Sequence, residues 1–456
     1  MRRPKAALIL ALLLCIALVG FLAYRSPWVR SIFTKDTVDT AELSKLAETK
    51  FELPAVAEPS TGWPQWRGPF RDGRAPAGPL RTDWDNRPPK LVWRAPCGGG
   101  FSSLAVVNGQ VYTQDRQGGN ERVFCLNAEN GKQLWEYSYP SEPAGEDRNY
   151  SSGPRATPTV QGNLVYVVSG AGLFLCLEAP QGNPTPKVVW QHNLLSEFDA
   201  QMPKWGVASS PLIEGDLAIV QPGGKNGSVV AFDKTSGEIR WRAGTNPSGY
   251  SSPIAATIGG QRTVFALTGN ALLAIGLGGL INDSFPWATQ FDGNVATPLI
   301  VDDYIFISAA YGQGCALLRA QRNNERVKLI QVYARHVRGL KNHHSTSVYK
   351  DRYIYGFDGE GAARLKCIEF NTGNEKTDWE ATGIDKGSLI LAENYLIVQT
   401  ERGDLCLVEA TPAEFRLLAR IPKVLSGSRN WTAPTLVDGK LYLRDEEKIA
   451  CYDVGP

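Results

Sequence analysis

The 456-residue chain lacks the short motifs that mark several large classes of catalytic and cofactor-binding site. It contains no Cys-x-x-Cys pair, which excludes a c-type haem attachment site and a zinc knuckle. It contains neither GxxxxGK[ST] nor a strand-linked GxGxxG, so the two common phosphate-binding loops are missing. GxSxG and HExxH are also absent. These absences do not exclude a site assembled from residues far apart in the chain.

An excess of charge of one sign is lacking as well. The chain has 48 Lys and Arg residues against 46 Asp and Glu residues, a formal net charge of +2 at pH 7. Nucleic-acid-binding domains carry a strongly basic face, so we expect no nucleic-acid partner. Histidine is scarce, with four residues in all. Two of them, His343 and His344, are adjacent, and neighbours in a strand point to opposite faces, so we predict no metal site there.

What the chain does have is a repeated four-strand unit. In residues 209–241, short apolar runs alternate with turns that contain Gly and Asp, a pattern typical of antiparallel hairpins. Similar openings, mostly a Ser or Thr beside a Pro or Leu, recur near residues 103, 157, 210, 252, 297, 346, 388 and 433. A spacing of about 40 to 55 residues with four strands per unit predicts a β-propeller, here with eight blades.

The two ends of the repeat region complement each other. Most units end in a strand that carries an aromatic residue, from Trp135 in the first to Trp379 in the sixth. The last unit stops at Tyr452 and Asp453 without such a strand, whereas an orphan copy around Trp93 precedes the first unit. We therefore predict that a closure strand at 90–94 pairs with the last blade at 433–453, leaving no open edge at the seam.

One long apolar run occurs, close to the N-terminus. Residues 6–24 are uncharged and mostly apolar, and they follow three basic residues. The run is just long enough to span a bilayer and longer than the core of most signal peptides. We favour an uncleaved membrane anchor at 1–24 over a removed signal. We expect the anchor to be followed by a linker at 25–60, with a short helix near 40–51. The propeller at 61–456 would then lie on the exported, periplasmic side.

The best-formed units resemble the repeat of PQQ-like (quinoprotein-type) β-propellers, which ends in A-x-D-x-x-T-G-x-x-x-W. The residues that fit this pattern in the third unit are Ala231, Asp233, Thr235, Gly237 and Trp241. Residues 63–69, WPQWRGP, resemble the lead-in of exported members. The likeness runs from about residue 60 to the C-terminus. It implies an all-β, eight-bladed propeller of four-stranded antiparallel blades.

The same resemblance implies two functions. One branch consists of PQQ-dependent alcohol dehydrogenases, which hold PQQ and calcium on the axis and pack an adjacent Cys-Cys pair against the cofactor. The other includes BamB-like scaffolds of outer-membrane barrel assembly, which bind proteins. This chain has no Cys-Cys pair. We therefore expect a non-catalytic binding or assembly scaffold in the cell envelope, with an envelope protein or peptide as partner; the alternative is a PQQ-dependent dehydrogenase of alcohols or sugars.

Binding residues are expected in the loops just before each inner strand, because such loops are held on a rigid scaffold around the funnel mouth. The candidates are Arg155, Trp205, Tyr250, Asn294, His343, His344, Lys386, Arg429 and Trp431. The cations could hold carboxylates or phosphates, and the tryptophans could stack on a planar ring. Alternatively, Trp205 and Trp431 only fill the channel, and Arg155 and Arg429 bond backbone carbonyls. The sequence assigns no catalytic residue.

Overall fold

The computed structural model describes residues 36–51, 62–75, 78–145, 153–180, 185–337, 339–377, 379 and 381–456. These residues form eight antiparallel sheets that follow one another in chain order. The predicted all-β, eight-bladed propeller is confirmed. The predicted anchor at 1–24 lies outside the described residues. In the part of the chain that the structure does describe, no helix is both long enough and apolar enough to cross a membrane.

Each blade begins with a short inner strand and continues outwards through antiparallel neighbours. Blade 1 comprises Ala105–Val107, Gln110–Gln117, Asn120–Asn127 and Gln133–Pro140. Blade 2 comprises Thr159–Gln161, Leu164–Val168, Leu173–Glu178 and Lys187–Asn193. Blade 3 comprises Leu212–Glu214, Leu217–Val220, Val229–Asp233 and Ile239–Ala243. Blade 4 comprises Ile254–Ile258, Gln261–Leu267, Ala271–Gly276 and Ile281–Pro286.

The remaining blades complete the ring. Blade 5 comprises Leu299–Val301, Tyr304–Ala309, Gly314–Asn323 and Arg326–Arg335. Blade 6 comprises Val348–Lys350, Tyr353–Asp358 and Arg364–Glu369. Blade 7 comprises Gly387–Ala392, Tyr395–Thr400, Leu405–Glu409 and Leu417–Ile421. Blade 8 comprises Thr435–Val437, Lys440–Arg444 and Lys448–Asp453, and its fourth strand is Lys90–Pro96 from before blade 1.

The seam and blade 6 differ from the other blades. At the seam, Lys90–Pro96 runs antiparallel to the last strand of the chain, with Trp93 opposite Cys451; this is the pairing that the orphan copy around Trp93 predicts. In the described part of blade 6, the outer position holds only a bridge between Ile368 and Glu375. Trp379, which the sequence places in an outer strand, lies outside any strand.

The Ser and Thr residues that mark the repeat join neighbouring blades around the axis. The amide of Ser103 donates to Thr157 Oγ1 (3.2 Å), and that of Thr157 donates to Ser210 Oγ (2.9 Å). The Ser210 amide donates in turn to Ser252 Oγ (2.9 Å). Across the seam, the amide of Ala433 donates to Ser103 Oγ (3.0 Å). A hydroxyl recurs at these positions because it satisfies a buried amide of the preceding blade.

The Thr-Gly and Trp positions of the repeat form a second set of contacts between neighbouring blades, near the outer rim of the ring. In blade 2, Trp190 Nε1 donates to the Lys234 carbonyl in the last turn of blade 3 (3.1 Å). A Cβ on Gly237, whose φ is +78°, would lie 2.7 Å from the Trp190 ring. Glycine is therefore required there both by the left-handed backbone and by the close approach of the indole. The seam uses the same contact, with Trp93 Nε1 donating to the Ala128 carbonyl (2.9 Å).

Residues 36–51, part of the predicted linker, lie against blades 5 and 6. Thr37–Val38 adds a fifth strand to the outer edge of blade 5. The helix Thr40–Glu48 follows, and Asp39 caps it by accepting bonds from two backbone amides. Leu46 is fully buried in the core shared by blades 5 and 6, and Phe51 packs edge-on against three aromatic rings there. This segment therefore covers the outside of the two blades.

Strand direction defines two faces of the ring. Successive strands alternate in direction, so the loops before the inner strands share a face with the hairpins between second and third strands. We call this the upper face, and the opposite one the lower face. Residues 62–75, which we call the axial plug, enter the ring from the lower face: Gly62 lies opposite Val107, at the lower end of an inner strand. The plug leaves beside blade 7, where the Ala75 amide donates to the Leu391 carbonyl (2.7 Å).

The tip of the plug is held by cationic side chains that reach into several blades. Arg67 donates to two carbonyls at the inner-strand opening of blade 6 (3.1 and 2.6 Å). Arg71 donates to two carbonyls at the corresponding opening of blade 3 (2.9 and 3.1 Å). Trp66 Nε1 donates to Thr297 Oγ1 of blade 5 (2.9 Å). These bonds fix the tip across the channel, where the Trp66 side chain closes it from below.

Arg71→Ala is expected to lower the free energy of unfolding by about 3 kcal/mol, because the buried carbonyls of Ser210 and Pro211 lose their charged donor. Denaturant unfolding of the full chain measures this change. Arg364→Ala is the control, since Arg364 is exposed and surface substitutions stay within about 0.5 kcal/mol. Equal stability of the two variants would show that Arg71 does not hold the plug.

Candidate functional site: a cup on the upper face

The upper face carries a cavity of about 330 Å³ on the propeller axis, which we call the cup. Its floor is the Trp66 side chain of the axial plug, and its walls come from the loops before the inner strands and from two hairpins. The volume lies within the range of small-ligand sites, which are mostly apolar clefts with a few placed polar groups. The plug therefore turns an open channel into a cup with a floor.

Most of the candidate residues meet in this cup. Those that line it are Arg155, Trp205, Tyr250, His343, His344, Lys386 and Trp431. Asn294 does not: it is fully buried, and its Nδ2 donates to the carbonyls of Thr268 (2.7 Å) and Trp287 (2.8 Å). Arg429 also lies outside the cup wall, with its Nε 3.9 Å from Glu446 Oε2. The role of the lining residues as ligand contacts stays a prediction.

Four aromatic or charged lining residues are absent from the sequence-based candidates; they are Trp66, Phe101, Tyr311 and Glu360. Phe101 lies in the loop before the inner strand Ala105–Val107 and follows three glycines, so the rule that found the others also applies to it. Tyr311 and Glu360 lie in hairpins between second and third strands. Those hairpins reach the upper face only because strand direction alternates, which the rule did not use.

Lys386 is the most buried charged group of the cup. Its residue is 8% exposed, and its ammonium lies 5.0 Å from the centre of the Trp431 ring. The nearest carboxylate oxygen, Glu401 Oε1, is 3.7 Å away and already accepts the Trp431 indole N–H (2.5 Å). Burial lowers the pKa of Lys386, while Glu401 opposes that shift. The cup therefore contains a cation that its own carboxylate neighbour satisfies poorly.

His343 and His344 stand together beside Lys386, so the expectation that they lie in a strand with their side chains on opposite faces is wrong. The two residues lie in a loop rather than a strand, so both rings enter the same cup, with centroids 5.7 Å apart. His343 Nε2 contacts the Tyr311 hydroxyl (3.0 Å), whereas both His344 ring nitrogens are buried without a hydrogen-bond partner among the described residues. Burial lowers the pKa of His343 to about 4 and that of His344 well below its ordinary value. Both imidazoles are therefore neutral near pH 7.

Arg155 supplies a second cation on the other side of the cup. Its guanidinium lies 5.2 Å from the centre of the Phe101 ring, and its Nη1 donates to the Gly153 carbonyl (3.3 Å). Burial lowers the pKa of Arg155 to about 10. The contact with the Gly153 carbonyl agrees with the expectation that Arg155 bonds the backbone. Its position in the cup wall agrees with the other expectation, that Arg155 holds a bound carboxylate or phosphate.

An aromatic ridge separates the cup from a second cavity on the same face. Trp205 and Tyr311 stack at 6.1 Å, and Phe291 stands edge-on to both. Lys204 places its ammonium 3.7 Å from the centre of the Phe291 ring. Phe291 and Asp292 have φ angles of +61° and +52°, a conformation that non-glycine residues rarely adopt and that tends to occur at functional sites.

The second cavity, of about 340 Å³, lies beyond the ridge, and we call it the side cleft. Asp199, Lys204, Lys225, Phe291 and Asp292 are among its lining residues. Lys225 and Asp199 pair at 3.5 Å near the solvent. The Asp292 carboxylate has no hydrogen bond or ion pair with another described residue, and burial raises its pKa. The side cleft therefore ends in a half-buried carboxylate.

The cup fits part, but not all, of a quinone–metal site. Its aromatic walls and the cations Arg155 and Lys386 suit a planar anionic ring. A divalent ion needs several oxygen ligands. The described residues contain no group of three or more His, Cys, Asp or Glu that could hold a metal ion. The described residues of the cup therefore suit the planar anionic ring but supply no such cluster for calcium.

Comparison with known sequences identifies a family. A family profile described as outer membrane protein assembly factor BamB matches residues 77–152 and 145–379. The curated outer membrane protein assembly factor BamB of Yersinia pestis is 26% identical over 159 residues, which are 34% of this chain and 36% of that protein. The aligned region therefore spans only about a third of this relative's length.

Comparison with solved structures shows the fold. BamB from Moraxella catarrhalis aligns at a TM-score of 0.51 and 15% identity, covering 77% of this chain and 94% of that one. The quinohemoprotein alcohol dehydrogenase of Comamonas testosteroni aligns at a TM-score of 0.61 and 15% identity, covering 92% and 82%. At such low identity these likenesses speak for the fold alone. The family profile, however, covers well over half of the chain, and the protein therefore belongs to the family of PQQ-like β-propellers described as outer membrane protein assembly factor BamB.

Proposed function

We propose that the protein is a non-catalytic binding or assembly scaffold of the cell envelope, anchored in a membrane by residues 1–24 and exported to the periplasmic side. The observation that carries the proposal is the family match over residues 77–379, which span most of the blades. The matched family and the Yersinia pestis relative are both named as outer-membrane assembly factors. Their partner class, proteins of the envelope, is the one proposed for this chain.

The mechanism of such a scaffold is recognition by loops on a stiff ring. The seam is closed by a paired strand and the axis is closed by the plug, so the blades cannot separate without breaking buried hydrogen bonds. Loops held on a rigid scaffold bind with little ordering cost. The upper face, with its cup and exposed aromatic ridge, is the surface proposed for the partner.

Affinity purification of the tagged full chain from mildly solubilised membranes of the producing cells tests the proposal. We expect an envelope protein to co-purify in a fixed ratio and to cross-link to the propeller through a photoreactive residue at Ala208, in the cup wall. The same residue placed at Asp438, in the lower-face hairpin of blade 8, is the control. Recovery of the chain alone would contradict a scaffold function.

A PQQ-dependent dehydrogenase is the second candidate, and the aromatic cup with its two cations, Arg155 and Lys386, is the observation that favours it. The test adds PQQ and calcium to the purified full chain with an alcohol or a sugar and an electron-accepting dye. We expect no cofactor absorbance to remain on the protein after gel filtration and no dye reduction, because the cup lacks a set of metal ligands. Turnover of the dye would overturn the scaffold proposal.

A further inference from the structure

Two charged side chains on the upper face make no side-chain hydrogen bond within 3.5 Å to another described residue, and they lie on either side of the aromatic ridge. The first is Lys386 in the cup. Its ammonium makes no hydrogen bond within 3.5 Å to another described residue, and Glu401 Oε1 at 3.7 Å is engaged by the Trp431 indole. A buried charge with unused donors costs free energy. An incoming anion would recover that free energy.

His344 extends this polar end of the cup. Its ring packs on Trp431, with centroids 5.1 Å apart, and neither of its nitrogens has a hydrogen-bond partner among the described residues. Because burial keeps the imidazole neutral, it offers one N–H donor and adds no charge. A carboxylate could accept bonds from the Lys386 ammonium and from this N–H together. The cup therefore favours a carboxylate at this end.

The second of these side chains is Asp292 in the side cleft. The two lysines of the cleft are engaged elsewhere: Lys225 pairs with Asp199 (3.5 Å), and Lys204 lies over the Phe291 ring (3.7 Å). The Asp292 carboxylate is left half-buried on a left-handed backbone, φ +52°. A guanidinium or ammonium group entering the cleft would satisfy it. The side cleft therefore favours a cation.

A continuous series of rings joins the two sites, and we call it the ring belt. Its members, in order, are Phe291, Tyr311, His343, His344 and Trp431, and successive centroids lie 6.0, 5.4, 5.7 and 5.1 Å apart. Phe291 is 42% exposed at one end of the belt. An extended chain advances ~3.3 Å per residue, so about seven residues cover the belt. Trp and Tyr are enriched among the residues that contribute most to binding at protein interfaces.

We propose that the upper face binds an extended peptide segment of a partner protein that carries an acidic and a basic side chain on either side of apolar residues. The acidic side chain enters the cup against Lys386 and His344. The apolar side chains lie along the ring belt, and the basic side chain enters the side cleft against Asp292. This proposal rests on the proposed scaffold function and names the chemistry of its partner.

Synthetic seven-residue peptides test the proposal directly. One peptide has Glu and Arg at opposite ends of a Leu- and Phe-containing centre, and the two comparison peptides have Glu at both ends or Arg at both ends. Fluorescence anisotropy with the full chain is expected to show about 10-fold tighter binding of the Glu/Arg peptide, because each comparison peptide brings one like charge to a buried charge. Equal binding of the three peptides, or no binding, would overturn the proposal.

Charge substitution then locates the site. Lys386→Met and Asp292→Asn are each expected to weaken binding of the Glu/Arg peptide about 10-fold. Asp292→Lys is expected to change the preference to the peptide with Glu at both ends. The matched control is Asp438→Lys, since Asp438 is also left-handed (φ +48°) but lies in a lower-face hairpin. An unchanged preference in Asp292→Lys would overturn the proposal.

The outcomes separate this proposal from the scaffold function on which it rests. Circular dichroism and thermal unfolding verify that each variant is folded, and Asp292→Asn preserves side-chain shape where Lys386→Met does not. If an envelope protein co-purifies equally well with wild type, Lys386→Met and Asp292→Asn, the upper-face site is wrong and the scaffold function stands. If no protein co-purifies with the wild type, the scaffold function fails, and the peptide result is judged separately.

Discussion

Arg444→Ala is expected to lower the free energy of unfolding by about 4 kcal/mol, the largest effect of any single substitution considered for this protein. Arg444 is 1% exposed and ends the second strand of blade 8. Its Nη1 donates to the Ser102 carbonyl (2.7 Å), to Thr113 Oγ1 (2.8 Å) and to the Gln114 carbonyl (2.8 Å), all in or next to blade 1. Truncation removes the charged donor of these three acceptors at the seam.

Two further variants separate the hydrogen bonds of Arg444 from its charge. Arg444→Lys keeps the charge but has no planar fork, so it is expected to recover less than half of the loss. Arg402→Ala removes a side chain that is 79% exposed and is expected to change stability by less than about 0.5 kcal/mol. Urea unfolding of the full chain measures all three variants. If Arg444→Ala behaves like Arg402→Ala, the hydrogen bonds of Arg444 do not stabilise the seam.

The blades could be predicted because the contacts between neighbouring blades depend on single residues at fixed positions of the repeat. The hydroxyl of residue 157 or 210 accepts a hydrogen bond from a backbone amide of the preceding blade. A glycine such as Gly237 leaves space for the tryptophan ring of the preceding blade. Each contact needs one residue type at one position in the repeat. Counting such residues therefore counts blades, and the missing contact after Tyr452 indicates where the chain must close.

The plug could not be predicted in the same way, because its position depends on contacts across the whole ring. The bonds of Arg67 and Arg71 reach carbonyls of blades 6 and 3, far along the chain. Both residues have left-handed φ angles, +61° and +58°, which a pattern of Arg, Gly and Pro does not specify. Residues 63–69 could be recognised as a lead-in, but their place on the axis required the folded ring.

The cup residues, too, could be predicted only where their position depends on the nearby sequence. Lys386 and Trp431 could be found because each stands just before an inner strand. The sequence could not show that Trp431 has a hydrogen-bond partner and Lys386 has none within 3.5 Å among the described residues. The indole of Trp431 donates to the Glu401 oxygen that lies nearest to the Lys386 ammonium. Asp292 was not a candidate at all, because only the folded structure shows that no described residue pairs with it. Sequence patterns thus locate the face, and tertiary contacts decide which of its charges are free to bind.

Acidification is expected to destabilise the protein through the two histidines of the cup. Burial, followed by the positive charge of Lys386, lowers the pKa of His343 from 6.5 to about 4, and burial lowers the pKa of His344 as well. Between pH 6.5 and 4 the unfolded chain therefore binds protons that the folded chain does not. Stability is full above pH 6.5 and decreases as the pH falls, by about 2 kcal/mol at pH 5 for His343, and His344 adds a decrease of the same sign.

Non-titrating variants test whether these residues cause the acid sensitivity. His343→Gln combined with His344→Asn is expected to remove at least about 2 kcal/mol of the stability difference between pH 7.5 and pH 5, as measured by urea unfolding of the full chain at each pH. His192→Gln is the control, because His192 lies on the outer strand of blade 2 and both buried imidazoles remain. If the double variant and the control lose the same stability on acidification, the protonation that unfolds the protein occurs outside the cup.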